Sequence, residues 1–378
     1  MTETILTNAL LVLPDEVRAG TVVVRDGRIA EVQTGCSHLP AALDLDGDTL
    51  MPGVVDLHTD NLERQVQPRT NARWPSRSAL LAHDAQCAAA GVTTVLDALC
   101  VGELAFDQDR ARTFREGVAD LDALAGTGLL KSQHFLHLRC EMPATNVLEA
   151  MDFVADHASV RMVSLMDHCP GVGQYADIDR FRAIRRREGS SDDAIERQIA
   201  ELQDQRARLR EPNRRALLAR VAVTGATIAS HDDQTEAEIA QNHADGIRIS
   251  EFPVTRAAAV AAKRHDMAVI AGAPNIVRGG SHSGGVAVAD LVQAGAVDAL
   301  ASDYVPASLV EAAFRCAESG AITLPQAIRL VTDTPARLAR LDDRGRIESG
   351  LRADLVRVRL FEGLPVVRQV WCAGERVA

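Results

Sequence analysis

Lysine is almost missing from this chain. Of its 41 basic residues only Lys131 and Lys263 are lysines, and the others are arginines. There is no excess of positive charge either. Against those stand 52 acidic residues, a formal net charge of −11, which argues against nucleic acid as a partner. A local arginine cluster can still oppose that field and hold a phosphorylated small molecule. Long apolar runs are absent: none reaches the roughly 18 residues of a membrane span, so no membrane partner is expected. The first residues carry no basic leader, so no secretory signal is expected. Seven cysteines form no C-x-x-C pair and no regular framework, which points to reduced thiols in a cytoplasmic protein. No G-x-G-x-x-G follows the first central strand, which weighs against a doubly wound dinucleotide fold.

What is present falls into three parts. Residues 1–50 read as short strands with hairpin signals at Asp26-Gly27 and Asp46-Gly47. Residues 345–378 have the same texture, with turns at Glu362-Gly363 and Ala373-Gly374. Two β-rich ends around a different middle predict one small β-sandwich domain built from both termini. Between them, residues 51–344 alternate apolar runs with helical stretches. The runs fall at 54–58, 93–99, 134–141, 160–168, 226–232, 246–252, 267–274 and 297–304. Eight strands alternating with helices predict an α/β fold of the (β/α)8 TIM-like kind. Residues 177–220 break the rhythm. They are dense in charge and helix formers and read as two helices inserted after the fourth strand, either a solvated pair or a cap over the active site.

In a parallel barrel, catalytic groups sit where the strands end. The first strand ends in His58-Thr59-Asp60, the third in Glu141 and the fourth in Asp167-His168. The fifth ends in His231-Asp232-Asp233, the sixth near Glu251 and the eighth in Asp303. Imidazoles and carboxylates at nearly every strand end are what a divalent metal centre requires. The expected ligands are His58, Asp60, Glu141, His168, His231 and Asp303. Mixed nitrogen and oxygen donors suit zinc, with manganese or iron as alternatives, as one or two ions. In His58-x-Asp60 the two side chains share one side of the strand, so both can reach one ion. A carboxylated lysine has no good position, because Lys131 precedes its strand and Lys263 lies in a helical stretch. Any bridging ligand should then be a carboxylate, with Glu141 as the candidate. His137 shares the strand parity of Arg139 and Glu141 and reads as a support behind the ligands.

A second cluster, GAPNIVRGGSHSGG at 272–285, follows the seventh strand. Its glycines permit close approach, and Arg278, Ser281 and His282 offer donors to anionic oxygens. Arg139, Tyr175 at the end of GVGQY, and Tyr304 beside Asp303 complete the expected substrate contacts.

Nearly the whole chain carries a resemblance. A β-rich start, PGVVDLHTD, a strand-eight aspartate and a late GLRADLV resemble the amidohydrolase superfamily. Within it, MPGVVDLHTDNLE, HDAQCAAAGVTTVLDAL, HLRCE, SLMDHCPGVGQY, SHDD, EFPVT, GAPNIVRGGSHSG and ASDYVPASL are similar, in order, to the PhnM family. That family comprises the α-D-ribose 1-methylphosphonate 5-triphosphate diphosphatases of the carbon–phosphorus lyase pathway. The resemblance implies a metal-dependent hydrolase that cleaves the 5-triphosphate to the 5-phosphate and pyrophosphate. It makes Asp303 the general base and a phosphorylated ribose phosphonate the small-molecule partner. Self-association into a homo-oligomer stays open. The alternative is an amidohydrolase acting on a cyclic amide or N-acyl substrate, since such barrels host amide, ester and phosphate chemistry alike.

Overall fold

The computed structural model describes residues 3–69, 72–104, 108–281 and 284–378. The two ends of the chain meet in one sheet. It runs from the N-terminal strands β1 (Glu3–Val12), β2 (Val17–Arg25), β3 (Arg28–Thr34), β4 (Leu43–Asp44) and β5 (Thr49–Pro52) to the C-terminal ones. The latter, last in the chain, are β14 (Leu355–Phe361), β15 (Leu364–Cys372) and β16 (Glu375–Arg376). Strand β5 is the seam: it lies parallel to β1 and antiparallel to β14. The expected sandwich is thus built from one hydrogen-bonded sheet, whose two arms send Leu6, Leu11, Val22, Ile29, Leu355 and Trp371 into a common core. Gly53 marks the crossing to the middle of the chain. A side chain there would run into Thr93 and Asp354, so the close approach of sheet and barrel requires glycine.

The middle is a parallel barrel. Its strands are β6 (Val54–Thr59), β7 (Val92–Val101), β8 (Gln133–Glu141), β9 (Val160–Met166), β10 (Thr227–His231), β11 (Ile249–Glu251), β12 (Ala268–Gly272) and β13 (Ala299–Ala301), each paired with the next in that order. The ring closes at the mouth. Thr59 bridges Asp303, the Asp303 N–H donates to the His58 carbonyl at 2.9 Å, and the Asp60 N–H donates to the Asp303 carbonyl at 2.8 Å. Helices that matter below are α1 (Asn61–Val66), α2 (Ser76–Ala89), α3 (Gln108–Leu124), α4 (Val147–Val154), α5 (Ile178–Arg187), α6 (Asp192–Thr224), α7 (Glu236–Ala244), α8 (Arg256–Arg264) and α9 (Ala273–Arg278).

Strand periodicity builds the site on top of the barrel core. Every strand contributes to an interior layer that includes Val55, Leu96, Phe135, Met162, Ala229, Ile249, Ile270 and Ala299. Two residues further on, the same side of the strand carries polar groups. Phe135 is followed by His137, Arg139 and Glu141; Ala229 by His231; Ile249 by Glu251; and Ala299 by Ala301 and Asp303. The apolar layer is a plug beneath the polar one. Truncating one of its large members, such as Ile270→Ala, would remove about 2–5 kcal/mol.

The charged insertion is ordered as two helices, α5 and α6, between β9 and β10. Asp177 caps α5 by accepting from the Asp179 and Arg180 N–H groups, and Ser191 caps α6 by accepting from Ala194. Helix α6 ends at Gly225 with φ +73°, the left-handed conformation suited to a helix stop. Asp167, at the end of β9, accepts from Arg206 at 2.6 Å and Arg210 at 3.1 Å, and so ties α6 to the barrel mouth.

Candidate active site

The strand ends surround a cavity of about 510 Å³ at the barrel mouth. His58, Asp60, His168, His231 and Asp303 all line it. The three imidazoles are close neighbours: ring centroids lie 5.9 Å apart for His58–His231 and 5.7 Å for His168–His231. Glu141 is buried below the rim, where its carboxylate touches Nδ1 of His168. The six expected ligands thus converge at one end of the barrel.

Two further strand-end carboxylates, outside the expected ligand set, join them. Glu251 Oε1 lies 2.9 Å from His58 Nδ1, and Asp232 Oδ1 lies 3.4 Å from His231 Nδ1. Two donor groups form at the mouth, His58–His231–Glu251 and His168–His231–Asp232, in each of which potential ligand atoms lie within 4.8 Å of one another. Neither contains Asp60 or Glu141. The sequence signal for Glu251 was its parity with Ile249, but β11 has only three residues in which to show it.

The donors fit a divalent cation. If His58 donates from Nδ1 to Glu251, its Nε2 lone pair is left for a metal. Oδ1 of Asp60 is buried and makes no hydrogen bond, although its residue stands at the cavity wall. Burial, then Arg139 and His231, hold the His58 pKa well below its usual range, so the ring is neutral and ready to ligate. Burial pushes the Asp60 pKa up and the adjacent Asp303 adds to the rise; burial also raises that of Asp303. A bound cation acts in the opposite direction on both. For His231, burial favours the neutral ring, but Asp232 outweighs it and raises the pKa to about 9. A cation and that proton compete for the same ring.

Support behind the ligands comes from β8 and β9. His137 donates from Nδ1 to the Leu57 carbonyl at 2.9 Å, and its Nε2 lies 2.6 Å from Ser164 Oγ. Ser164 Oγ lies 2.7 Å from Glu251 Oε2. The chain His137–Ser164–Glu251–His58 fixes the orientation of the first imidazole. Neither lysine is near: Lys131 donates to the Val377 carbonyl and Lys263 pairs with Asp298.

Of the expected substrate contacts, Arg139, Tyr175, Ser281 and Tyr304 line the cavity. Arg139 is the most telling. It is 6% exposed, Nε and Nη1 make no hydrogen bond, and Nη1 stands 3.7 Å from Asp60 Oδ2 and 3.9 Å from Glu63 Oε1. A buried guanidinium with spare donors beside a candidate metal ligand is suited to an anionic oxygen. Arg278 departs from expectation: it is exposed at the last turn of α9 and outside the cavity lining, because the helix carries it past the rim while Pro274 and Asn275 line the wall. His282 lies outside the described residues. Sequence reading missed Arg110 on α3 and Ile184, Arg185 and Glu188 from α5 and its end, all in the cavity wall.

This geometry has relatives. Residues 192–378 match the model of the amidohydrolase family. The chain is 43% identical over 376 residues to α-D-ribose 1-methylphosphonate 5-triphosphate diphosphatase of Escherichia coli K12, covering 99% of this chain and all of that one. The chain belongs to the family of that diphosphatase. It is also 27% identical to D-hydantoinase of Rhizobium radiobacter, over 40% of this chain and 30% of that enzyme. Among solved structures, dihydropyrimidinase from Brevibacillus agri superposes with a TM-score of 0.66 at 14% identity, covering 99% of this chain and 95% of the other. N-acetylglucosamine-6-phosphate deacetylase from Pasteurella multocida does so with 0.63 at 14% identity, over 99% of each. At such identities the likeness is one of fold, and the barrel with its small β-domain is that fold.

Proposed function

We propose that the protein hydrolyses α-D-ribose 1-methylphosphonate 5-triphosphate to the 5-phosphate and pyrophosphate. The observation that carries the reading is 43% identity, over 99% of this chain and all of the other, to a diphosphatase of that name. A polyanionic substrate also suits the arginines of the cavity wall better than a cyclic amide does.

His58, Asp60, Glu141, His168 and His231 would hold the divalent cation, with Glu251 and Asp232 behind or among them. Zinc is favoured by the mixed donors, and the cation supplies Lewis acidity and a lowered water pKa. Asp303 orients the attacking water and accepts its proton as oxygen bonds to the α-phosphorus. The bond from that phosphorus to the bridging oxygen breaks, and pyrophosphate leaves with the electron pair. Arg139 and its neighbour Arg110 offset the charge that builds on the phosphate oxygens. His137 and Ser164 act only by holding Glu251 and, through it, His58 in place.

The seven cysteines are all free thiols, which fits a reducing, cytoplasmic setting. Among the described residues no helix is long and apolar enough to cross a membrane. The test is turnover by metal-loaded protein of the ribose triphosphate and, separately, of a hydantoin. Stoichiometric pyrophosphate from the first and no ring opening of the second is the expected result. Ring opening without pyrophosphate release would replace this reading with the cyclic-amide one.

A further inference from the structure

The cavity has two cationic walls, and they differ. One is at the metal centre, where Arg139 approaches Asp60 and Arg110 pairs with Glu63 at 3.3 Å. The other is on the inserted helix. Of the five arginines on α5, Arg185 is the one that lines the cavity, together with Ile184. Its side chain is only 11% exposed although it belongs to a charged surface insertion. The guanidinium stacks 5.1 Å from the Phe181 ring centre, and Nη1 is paired with Glu188 at 2.7 Å. By contrast Arg182 and Arg186, on the same helix, pair outward with Glu196 and Asp192. A run of rings lies between it and the metal centre: Phe181 to Tyr175 is 5.4 Å, and Tyr175 to His168 is 6.4 Å. Arg185 and the ligands thus line one cavity, set apart by the rings of Phe181 and Tyr175.

We infer that Arg185 is a specificity residue that binds the anionic phosphonate at C1 of the ribose. The inference rests on the proposed diphosphatase reading and goes beyond it by assigning the far end of the substrate. The scissile phosphorus must lie at the metal centre, and the pyrophosphate bonded directly to it carries several charges. That end calls for the adjacent Arg110 and Arg139. An ester of methylphosphonic acid carries a single negative charge on the other side of the sugar, and a single cation at that remove matches it. Glu188 is 53% exposed, so its ion pair is weak and solvated, and the guanidinium can turn from it to the ligand. Phe181 keeps the cation in the wall meanwhile.

The experiment compares Arg185→Ala, Arg185→Lys and Glu188→Gln with the unaltered enzyme on two substrates, the ribose 1-methylphosphonate 5-triphosphate and ribose 5-triphosphate. The second lacks the methylphosphonyl group at C1 and with it the C1 anion. Thermal melts establish that each variant is folded, and Arg185→Lys, which keeps the charge, covers the case in which Arg185→Ala does not fold. Arg185→Ala should raise KM for the first substrate roughly 10–100-fold with kcat within a few-fold, and leave ribose 5-triphosphate unaffected. Arg185→Lys should recover part of the loss, and Glu188→Gln should lower KM or leave it unchanged. Equal losses on both substrates would assign Arg185 to the triphosphate end and overturn the inference. An unchanged KM on both would remove it from the binding site. If the unaltered enzyme releases no pyrophosphate from either substrate, the underlying reading fails, and this inference with it.

Discussion

Two buried clusters in this barrel are made of the same side chains, yet only one is built to take a ligand. At the mouth stand His58, His168, His231, Glu251, Asp232 and the residues around them. Against the barrel wall under α2 stand His83, Asp84, Asp97 and His134. Their geometry alone would suggest a metal in either, since His83, Asp97 and His134 also place potential ligand atoms within 4.8 Å of one another. The difference is satisfaction. Nε2 of His83 lies 2.8 Å from Asp97, and its Nδ1 lies 2.9 Å from the Asn61 amide nitrogen. His134 spans both carboxylates, 2.8 Å from Asp97 and 3.1 Å from Asp84, and Asp84 also accepts from the Lys131 and Ser132 N–H groups. Two negative carboxylates around one imidazolium leave nothing for a cation to do. At the mouth, Asp60 Oδ1 and two nitrogens of Arg139 make no hydrogen bond beside an open cavity. Unmet donors and acceptors facing a cavity, rather than residue type, distinguish a site from a strut.

The sharpest way to break that comparison is to remove one imidazole from each cluster. His231 belongs to both tight donor groups at the mouth. His231→Ala should abolish turnover and strip metal from the purified protein by elemental analysis, while His83→Ala should retain metal. Metal lost from His83→Ala and kept by His231→Ala would reverse the assignment. Next in size is Asp303→Asn, which keeps shape and removes the base. A fall in kcat of roughly 10²–10⁴-fold with metal retained is expected. Turnover within a few-fold of the unaltered enzyme at full metal occupancy would take Asp303 out of the mechanism. Smaller again is Glu251→Gln, which weakens the hold on His58. Metal affinity measured by competition with a chelator should drop roughly 10–100-fold.

How far the sequence reveals this contrast follows from the physics of each element. Strand ends are legible because an apolar run reports burial and two-residue periodicity continues it upward: Phe135, His137, Arg139 and Glu141 are one side of one strand. The β-domain is legible from its Asp-Gly and Glu-Gly turns, even though β5 has to join strands from opposite ends of the chain. Glu251 and Asp232 are less so. The first ends a three-residue strand, and the second has φ +55°, off the alternation of β10. Arg110 and Arg185 sit on helices in a chain where nearly every basic residue is arginine, so type carries no information and only packing picks them out. Arg278 shows the converse: its neighbours in the sequence point to the site, while the last turn of α9 carries its side chain to the surface. His134 gives no sign at all, because its partners come from α2 and β7 and meet it only in three dimensions.

The last prediction tests the strut by itself, through stability and not through turnover or metal. Burial would lower the pKa of His134, but Asp97 and Asp84 on its two nitrogens outweigh burial and raise it from 6.5 to about 9. Folding therefore takes up a proton here at intermediate pH. The stabilisation is complete below about 6.5, where the unfolded ring is also protonated, and it is lost as pH rises through about 9. Its full size is roughly 3 kcal/mol. Urea melts of the unaltered protein at pH 6.5 and pH 9.5 should differ by about that amount more than melts of Asp97→Asn, in which the main source of the shift is gone. The variant should be the less stable at the lower pH, and chelator-measured metal affinity should be the same in both proteins. An equal pH response in the two would mean that His134 is neutral in the fold and that one of its carboxylates carries the proton instead. The wall cluster would then be four hydrogen-bonded residues without an imidazolium among them, and its contrast with the mouth would rest on closure alone.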